Sequence, residues 1–355
     1  MPLNKRNYWV RISNLAREEI SPYLRSRQRK PFSIQMRELI SLWKRDRRAP
    51  VTYLRARLYE KQSPPVSAHI PFYDLKDFRN QVNSGIDCKI VRDKGAFAAL
   101  MRELDLPVVP ELFTTDASGA AVDADNCPLA RDEAAEILRN FHQPLFVKPR
   151  TGRGGAGAFL LHPGEDVERV FDGKPRIVQP ALSQHSMLAA IYPNAINTVR
   201  IDTLTLGGET VVNAAILRLG QNGIIVDSSA LGGLAAPIDL ETGRISGLAH
   251  AEAVFDPLRT GYRHHPNTGH PIIGVMLPFW SAVMTLVQQA AHSFTGDKSL
   301  GWDIALTPDG PVIIEANDSW DVRRVQDHCP LDETSLGRAC RIWRKSGQVP
   351  DYLPG

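Results

Sequence analysis

The chain has 355 residues, 43% of them apolar and 23% charged, with 42 Lys/Arg against 39 Asp/Glu for a formal charge of +3. That length exceeds one simple hydrophobic core and suits two or three packed subdomains of an ordinary globular protein. There is no apolar run long enough to cross a bilayer and no signal-peptide pattern. The four cysteines (Cys88, Cys127, Cys329, Cys340) fall into no CxxC or metal-ligand spacing, so a reducing cytoplasm is the expected setting.

The small net charge hides an uneven distribution. Residues 1–61 carry 16 Lys/Arg against five Asp/Glu, and the remainder carries 26 against 34. A basic appendage therefore sits on an acidic body. Its apolar positions (Trp9, Ile34, Leu39, Leu42, Trp43, Leu54, Leu58) predict helices, with Ile34, Leu39, Leu42 and Trp43 near one stripe. So many apolar positions argue against a merely solvated arm. The expectation is that these helices pack on the acidic body and cover part of its functional site. An anionic membrane surface is the alternative partner. Nucleic acid is not expected, because no zinc finger, RNP or helix-turn-helix pattern accompanies the charge.

Gln62-Ser63-Pro64-Pro65 closes the appendage. Beyond it, residues 95–104 read as helix, 106–110 as a short strand between prolines, and Asp132 as the cap of a helix through Leu138. Leu145-Phe146-Val147-Lys148-Pro149 and Ala158-Phe159-Leu160-Leu161 then flank a glycine-rich loop from Gly152 to Gly157. Glycine lets backbone N–H groups approach an anion closely. A Walker loop needs its lysine after the glycines, and a Rossmann loop must open a helix. The loop is read instead as a flap joining two strands over a polyphosphate, as against a glycine-rich hairpin with no ligand.

Residues 176–182 read as a strand leading into a linker, and 196–205 alternate cleanly, with Thr198, Arg200, Asp202 and Leu204 on one side. Arg200 is either a sheet-face ion pair or a fixed clamp on a phosphate. Residues 211–219 form a further strand, and 236–248 a hairpin about Glu241-Thr242-Gly243. The His-rich 263–270 reads as a loop with no zinc spacing. Residues 278–294 are the clearest amphipathic helix, burying Trp280, Val283, Leu286, Val287 and Ala290. Two apolar runs then flank Pro308-Asp309-Gly310. Pairing across that turn sets Asp303 opposite Glu315 with Asn317 on the same face, while Ile304, Leu306, Val312, Ile314 and Ala316 face the core. Three oxygen donors on one face suit Mg²⁺, as against an ordinary half-exposed hairpin.

The order of these features (strand, Lys148, glycine loop, strand, Gln179, Arg200, then Asp303…Glu315-Ala316-Asn317) resembles the ATP-grasp fold. Asn197-Thr198-Val199-Arg200, His265-Pro266-Asn267-Thr268-Gly269 and Gly301-Trp302-Asp303 resemble the sugar-transfer-associated ATP-grasp family more narrowly. The resemblance covers roughly residues 75–345. It implies an α+β ATP-grasp fold of two subdomains clasping a nucleotide, with an N-terminal helical extension. The expected divisions are a basic extension (1–65), a small α/β domain (66–144), a small lobe with the flap (145–182), a large lobe with the metal site (183–345) and a tail (346–355).

The resemblance also implies roles. Asp303, Glu315 and Asn317 would hold one or two Mg²⁺ ions, or Mn²⁺. Lys94 and Lys148 would contact ATP phosphates, with Gly152, Arg153, Gly154, Gly155, Ala156 and Gly157 closing from above. Gln179, Pro180, Ala181 and Leu182 would meet the adenine edge, with His185 near the ribose and Arg200 facing the transferred phosphoryl group. Gln179 and His185 replace acids common in the family. The implied activity is an ATP-dependent carboxylate–amine ligase working through an acyl phosphate, with a small-molecule acid and amine as substrates. A small-molecule kinase using Asp321, His264 or His265 as base, and a nucleotide-dependent assembly protein, are the alternatives. Ser229, Arg263, His265 and Asp321 are substrate-side candidates, and Arg218, Arg259, Arg263, Arg323 and Arg324 are possible grips for an anionic acceptor.

Overall fold

A computed structural model describes residues 16–46, 53–54, 56–61, 63, 65–84, 87–152, 154–252, 255–256, 260–296, 298–320, 325–326 and 329–355. Its frame is two six-stranded sheets in which every pair of neighbouring strands is antiparallel. The first has the order β3-β2-β1-β6-β4-β5. It is built from β1 (Phe113–Thr115), β2 (Ala121–Asp123), β3 (Pro128–Leu129), β4 (Leu145–Pro149), β5 (Phe159–Leu161) and β6 (Arg176–Pro180). The second has the order β10-β9-β8-β7-β11-β12. It contains β7 (Thr198–Leu206), β8 (Glu209–Leu219), β9 (Leu234–Pro237), β10 (His250–Ala251), β11 (Lys298–Thr307) and β12 (Gly310–Asn317).

Strand alternation decides what covers each face of the second sheet. Val199, Ile201, Leu217, Trp302 and Ile304 pack under the helix Trp280–His292, whose buried residues include Trp280, Val283, Leu286, Val287 and Ala290, as its periodicity predicts. On the other face Leu204, Leu206 and Ile216 pack with Leu75 and Phe78 of the helix Phe72–Val82 and with Leu336 and Ala339 of the helix Ser335–Ser346. That covering stops short of the sheet's end, which leaves Thr198 and Arg200 facing a cavity. A third core lies under the first sheet, where Phe113, Val147 and Val178 meet Leu138 of the helix Arg131–Asn140. Asp132 lies in the first turn of that helix rather than capping it: the residue before the helix is Ala130, and the Glu133 carboxylate accepts the Ala130 N–H instead.

Residues 106–110 make one parallel bridge, Val108 to Ile313, rather than a strand of their own. Val109 N–H donates to the Ile313 carbonyl and Ile313 N–H to the Pro107 carbonyl. The Val109 carbonyl also accepts from the Gln179 side chain at 3.2 Å. One short segment thus bonds to the last strand of the second sheet and to a central strand of the first.

The described part of the appendage has a core of its own: Leu42, Tyr53, Leu58, Tyr59 and Val66. Its helix Phe32–Asp46 turns Gln35, Leu39 and Leu42 inward, whereas Ile34 and Trp43, expected on the buried stripe, are exposed. Arg57 reaches from this unit to the Asp256 carbonyl of the body. Trp9 lies outside the described residues.

Candidate active site

A cavity of about 680 Å³, within the usual range for small-molecule sites, opens between the two sheets. Lys94, Lys148, the flap residues Gly152 and Gly154–Ala156, the run Gln179–Leu182, Arg200, Asp303, Glu315 and Asn317 all line it. Residues distant in sequence are therefore brought to one cavity. Arg153 and Asp321 lie outside the described residues, as do Arg259, Arg323 and Arg324.

The β11–β12 hairpin sets the oxygen donors. Asp303 pairs with Glu315 and Gly301 with Asn317, and the register shifts after Asp303 so that Ile304 meets Ile313. This bulge leaves Ile314 without a partner of its own. It consequently faces the cavity instead of the core, while Ile313 is buried among the core residues. The expectation that Val312, Ile314 and Ala316 share one core face holds for Ala316 only.

Asp303 sits in a network of charges. Its Oδ1 accepts from Arg200 Nε at 2.5 Å and its Oδ2 lies 3.0 Å from Arg218 Nη2. Arg218 also donates to Thr198 Oγ1 at 2.7 Å and lies 3.3 Å from Asp227 Oδ2. Thr198 gives both its N–H and its hydroxyl to the same Asp227 oxygen. Burial alone would raise the Asp303 pKa, but the two guanidinium groups hold it down at about 2. Burial works against the charge of Arg200, and Asp303 overrides it, so Arg200 stays protonated. Asp227 is displaced upward by burial, against the pull of Arg218. Arg218 is thus committed to two carboxylates and is no free grip for an acceptor.

Lys148 is buried on β4, and desolvation lowers its pKa to about 8 against the opposing pull of Glu315. Lys94 donates to the Gly152 carbonyl at 2.9 Å and stands 3.7 Å from Glu315 Oε2. It therefore ties the flap's first residue to the donor cluster. Asn317 Nδ2 donates to Glu315 Oε1 at 3.3 Å, which directs the amide oxygen away from that carboxylate. Two carboxylates and an amide oxygen around one cavity fit a hard divalent cation. Asp303 keeps a lone pair on each oxygen beyond those its arginines use. Among the described residues no group of three His, Cys, Asp or Glu is placed to hold a metal ion, so the donor set here depends on the Asn317 amide.

The flap folds back on the second sheet's side of the cavity. Gly155 has φ +75° and approaches Val226 so closely that a β-carbon would lie 3.2 Å from it. The loop of Val226, Asp227 and Ser228 is thereby both the flap's seat and the anchor of Arg218 and Thr198. Sequence reading did not single out Asp227, and no local pattern marks it.

Other predicted residues stand apart from the cavity. Gly157 is in the flap but does not line the cavity wall. The His185 ring caps its own helix, Ser186–Ile191, by accepting the Met187 N–H at 3.2 Å, and packs on Phe279 rather than lining the cavity. His265 is buried, pairs with the Gly220 carbonyl at 2.8 Å and lies against Tyr192, so it braces a loop instead of offering a base. Asn197 is likewise structural, holding Gln184, Leu188, Tyr192 and Gly220. Arg263 and His264 are exposed outside the cavity wall. Ser229 is buried between Ser228 and Ala230, which line the wall where it does not.

Residues 165–328 match the family model described as sugar-transfer associated ATP-grasp. This region, a little under half of the chain, is similar to that family. The match takes in the Arg200–Arg218 strands and the Asp303–Asn317 hairpin, while Lys148 and the flap lie before it. Among solved structures, the ATP-grasp ligase PsnB complexed with minimal precursor is similar at 16% identity, over 74% of this chain and 62% of that one, with a TM-score of 0.41. N5-carboxyaminoimidazole synthase from Aspergillus clavatus, complexed with ADP and 5-aminoimidazole ribonucleotide, is similar at 11% identity over 65% and 45%, with a TM-score of 0.40. L-amino acid ligase from Bacillus licheniformis gives 14% over 69% and 44%, with a TM-score of 0.40. The chain thus spans about half the length of the solved structures it matches, and at such remote likeness the assignment rests on the family match. No curated protein matches at a significant level.

Proposed function

We propose that the chain is an ATP-dependent carboxylate–amine ligase. The observation that carries this reading is the single cavity in which two lysines, a glycine flap, three oxygen donors and a buried arginine meet, in a chain with an ATP-grasp region. Lys148 and Lys94 would neutralise the nucleotide phosphates, and the backbone of Gln179–Leu182 would meet the base. Asp303, Glu315 and Asn317 would hold Mg²⁺ or Mn²⁺. When bound, that ion supplies positive charge beside the phosphates.

A carboxylate resists attack because its charge repels a nucleophile and it has no leaving group. Transfer of the γ-phosphoryl group to a carboxylate oxygen, with ADP departing, creates an acyl phosphate. An amine then attacks the acyl carbon, the C–O bond to phosphate breaks, and the amine loses a proton. Arg200, held by Asp303, would offset charge on the group in transit. The flap on its seat would exclude water, which otherwise hydrolyses the intermediate. Of the bases considered for transfer to a hydroxyl, His264 and His265 do not line the cavity, and Asp321 lies outside the described residues.

The test is product identity in a screen of acid and amine pairs. ADP and phosphate should form in step with a coupled product, and Glu315→Gln should lower turnover by at least ~10²-fold in a folded protein. Stoichiometric AMP, or turnover in Glu315→Gln within a few-fold of the parent, would remove this mechanism.

A further inference from the structure

The helix Phe32–Asp46 has two apolar faces, and the appendage core uses one of them. On the other, Phe32, Met36, Ile40 and Trp43 fall within an arc of about 80° and are 72%, 39%, 49% and 58% exposed. Leu24, 63% exposed, and Ile20, 41% exposed, add to the apolar surface of the same unit. Single exposed apolar residues are ordinary, but a stripe that includes a tryptophan and a phenylalanine is an interaction surface.

The charges around it are sorted by sign. Arg25, Arg27, Arg29, Arg37 and Lys44 are exposed. Among the described side chains the acids are turned inward: Glu19 is 1% exposed, Glu60 is buried, and Glu38 is shared by Lys30 at 2.7 Å and the Tyr53 hydroxyl at 2.6 Å. Arg37 and Lys44 border the stripe along the helix. The appendage therefore shows solvent an apolar band with cations along one edge, while the body beyond residue 61 has an excess of acid.

We infer that this face docks on an anionic membrane surface, with the helix lying in the interface plane. Its apolar side chains would enter the boundary between headgroups and acyl chains, and its cations would remain among anionic headgroups. A nucleic acid would engage the arginines but offers the aliphatic stripe little. The acidic body would be repelled by the same surface, so the field of the molecule turns the appendage toward it. Such docking would not depend on the reaction catalysed.

The test is co-sedimentation of the full chain with vesicles of phosphatidylcholine alone and of phosphatidylcholine mixed with phosphatidylglycerol. Binding should be at least ~10-fold stronger to the anionic vesicles and should fall as salt rises. Phe32→Ser with Trp43→Ser should weaken it at least ~10-fold, and Arg37→Glu with Lys44→Glu by a similar factor, with melting temperatures unchanged. Each of four results would overturn the inference: no vesicle binding by the parent, anionic-vesicle binding by the Phe32/Trp43 variant equal to the parent, a parent dimer that the variant dissolves, or tighter binding to a DNA duplex than to vesicles.

Discussion

Asp202 shows how one side chain can set the pH response of the fold. It is fully buried one strand away from Gly301, and neither carboxylate oxygen has a hydrogen-bond partner among the described residues. Burial raises its pKa to about 7, against the pull of Arg200 and Arg79. The unfolded chain releases this proton near the ordinary aspartate value, so between about pH 4 and pH 7 the unfolded state binds fewer protons than the folded one. Stability contributed here is complete below the lower value and is lost as pH rises through about 7. The loss should be on the order of a few kcal/mol, and Asp202→Asn should flatten that part of the stability profile. Denaturant unfolding of both proteins across this range is the check, and identical slopes would refute the assignment. Little of this was legible in the chain itself. Alternation places Asp202 on the face of Arg200, but only the packing of the Trp320 segment over Gly301 makes the position dry.

At the scale of elements, the strand pairings and the glycine flap were the most readable features, because turn residues and two-residue periodicity are local properties. The bulge at Ile314 was not readable, since an extra residue on one strand is decided by what the other strand packs against. His185 and His265 misled for a similar reason. Each looks reactive as a residue type, but the His185 ring accepts the Met187 N–H of the helix it caps, and His265 meets the Gly220 carbonyl that tertiary structure brings near it. The flap yields a prediction of its own. Gly155→Ala would force an L-residue to φ +75° and press its β-carbon on Val226. The substitution should unseat the flap without touching any core. An increase in the Michaelis constant for ATP of ~10-fold or more is expected, with a melting temperature close to the parent's. A fall in melting temperature with an unaltered Michaelis constant would place the strain in folding instead.

For the molecule as a whole, the cavity is made by two sheets with separate cores, so a ligand spanning it joins two packing units. A non-hydrolysable ATP analogue with Mg²⁺, at one hundred times its dissociation constant, should stabilise the folded state by about 2.7 kcal/mol if only the folded chain binds it. Thermal unfolding with and without the analogue measures this, and no shift at saturation would deny the cavity a nucleotide.

The segment bridging the two sheets has a consequence of a different kind. The strand Gly310–Asn317, which carries Glu315 and Asn317, is the last of its sheet, and the open side of a last strand invites pairing with another chain. Here the carbonyl of Pro107 and the N–H of Val109 occupy Ile313 from that side, and Pro107 and Pro110 contribute no N–H with which to continue a ladder. The strand that supplies the cavity's oxygen donors is therefore shielded from self-association by a strap that cannot itself become the next strand.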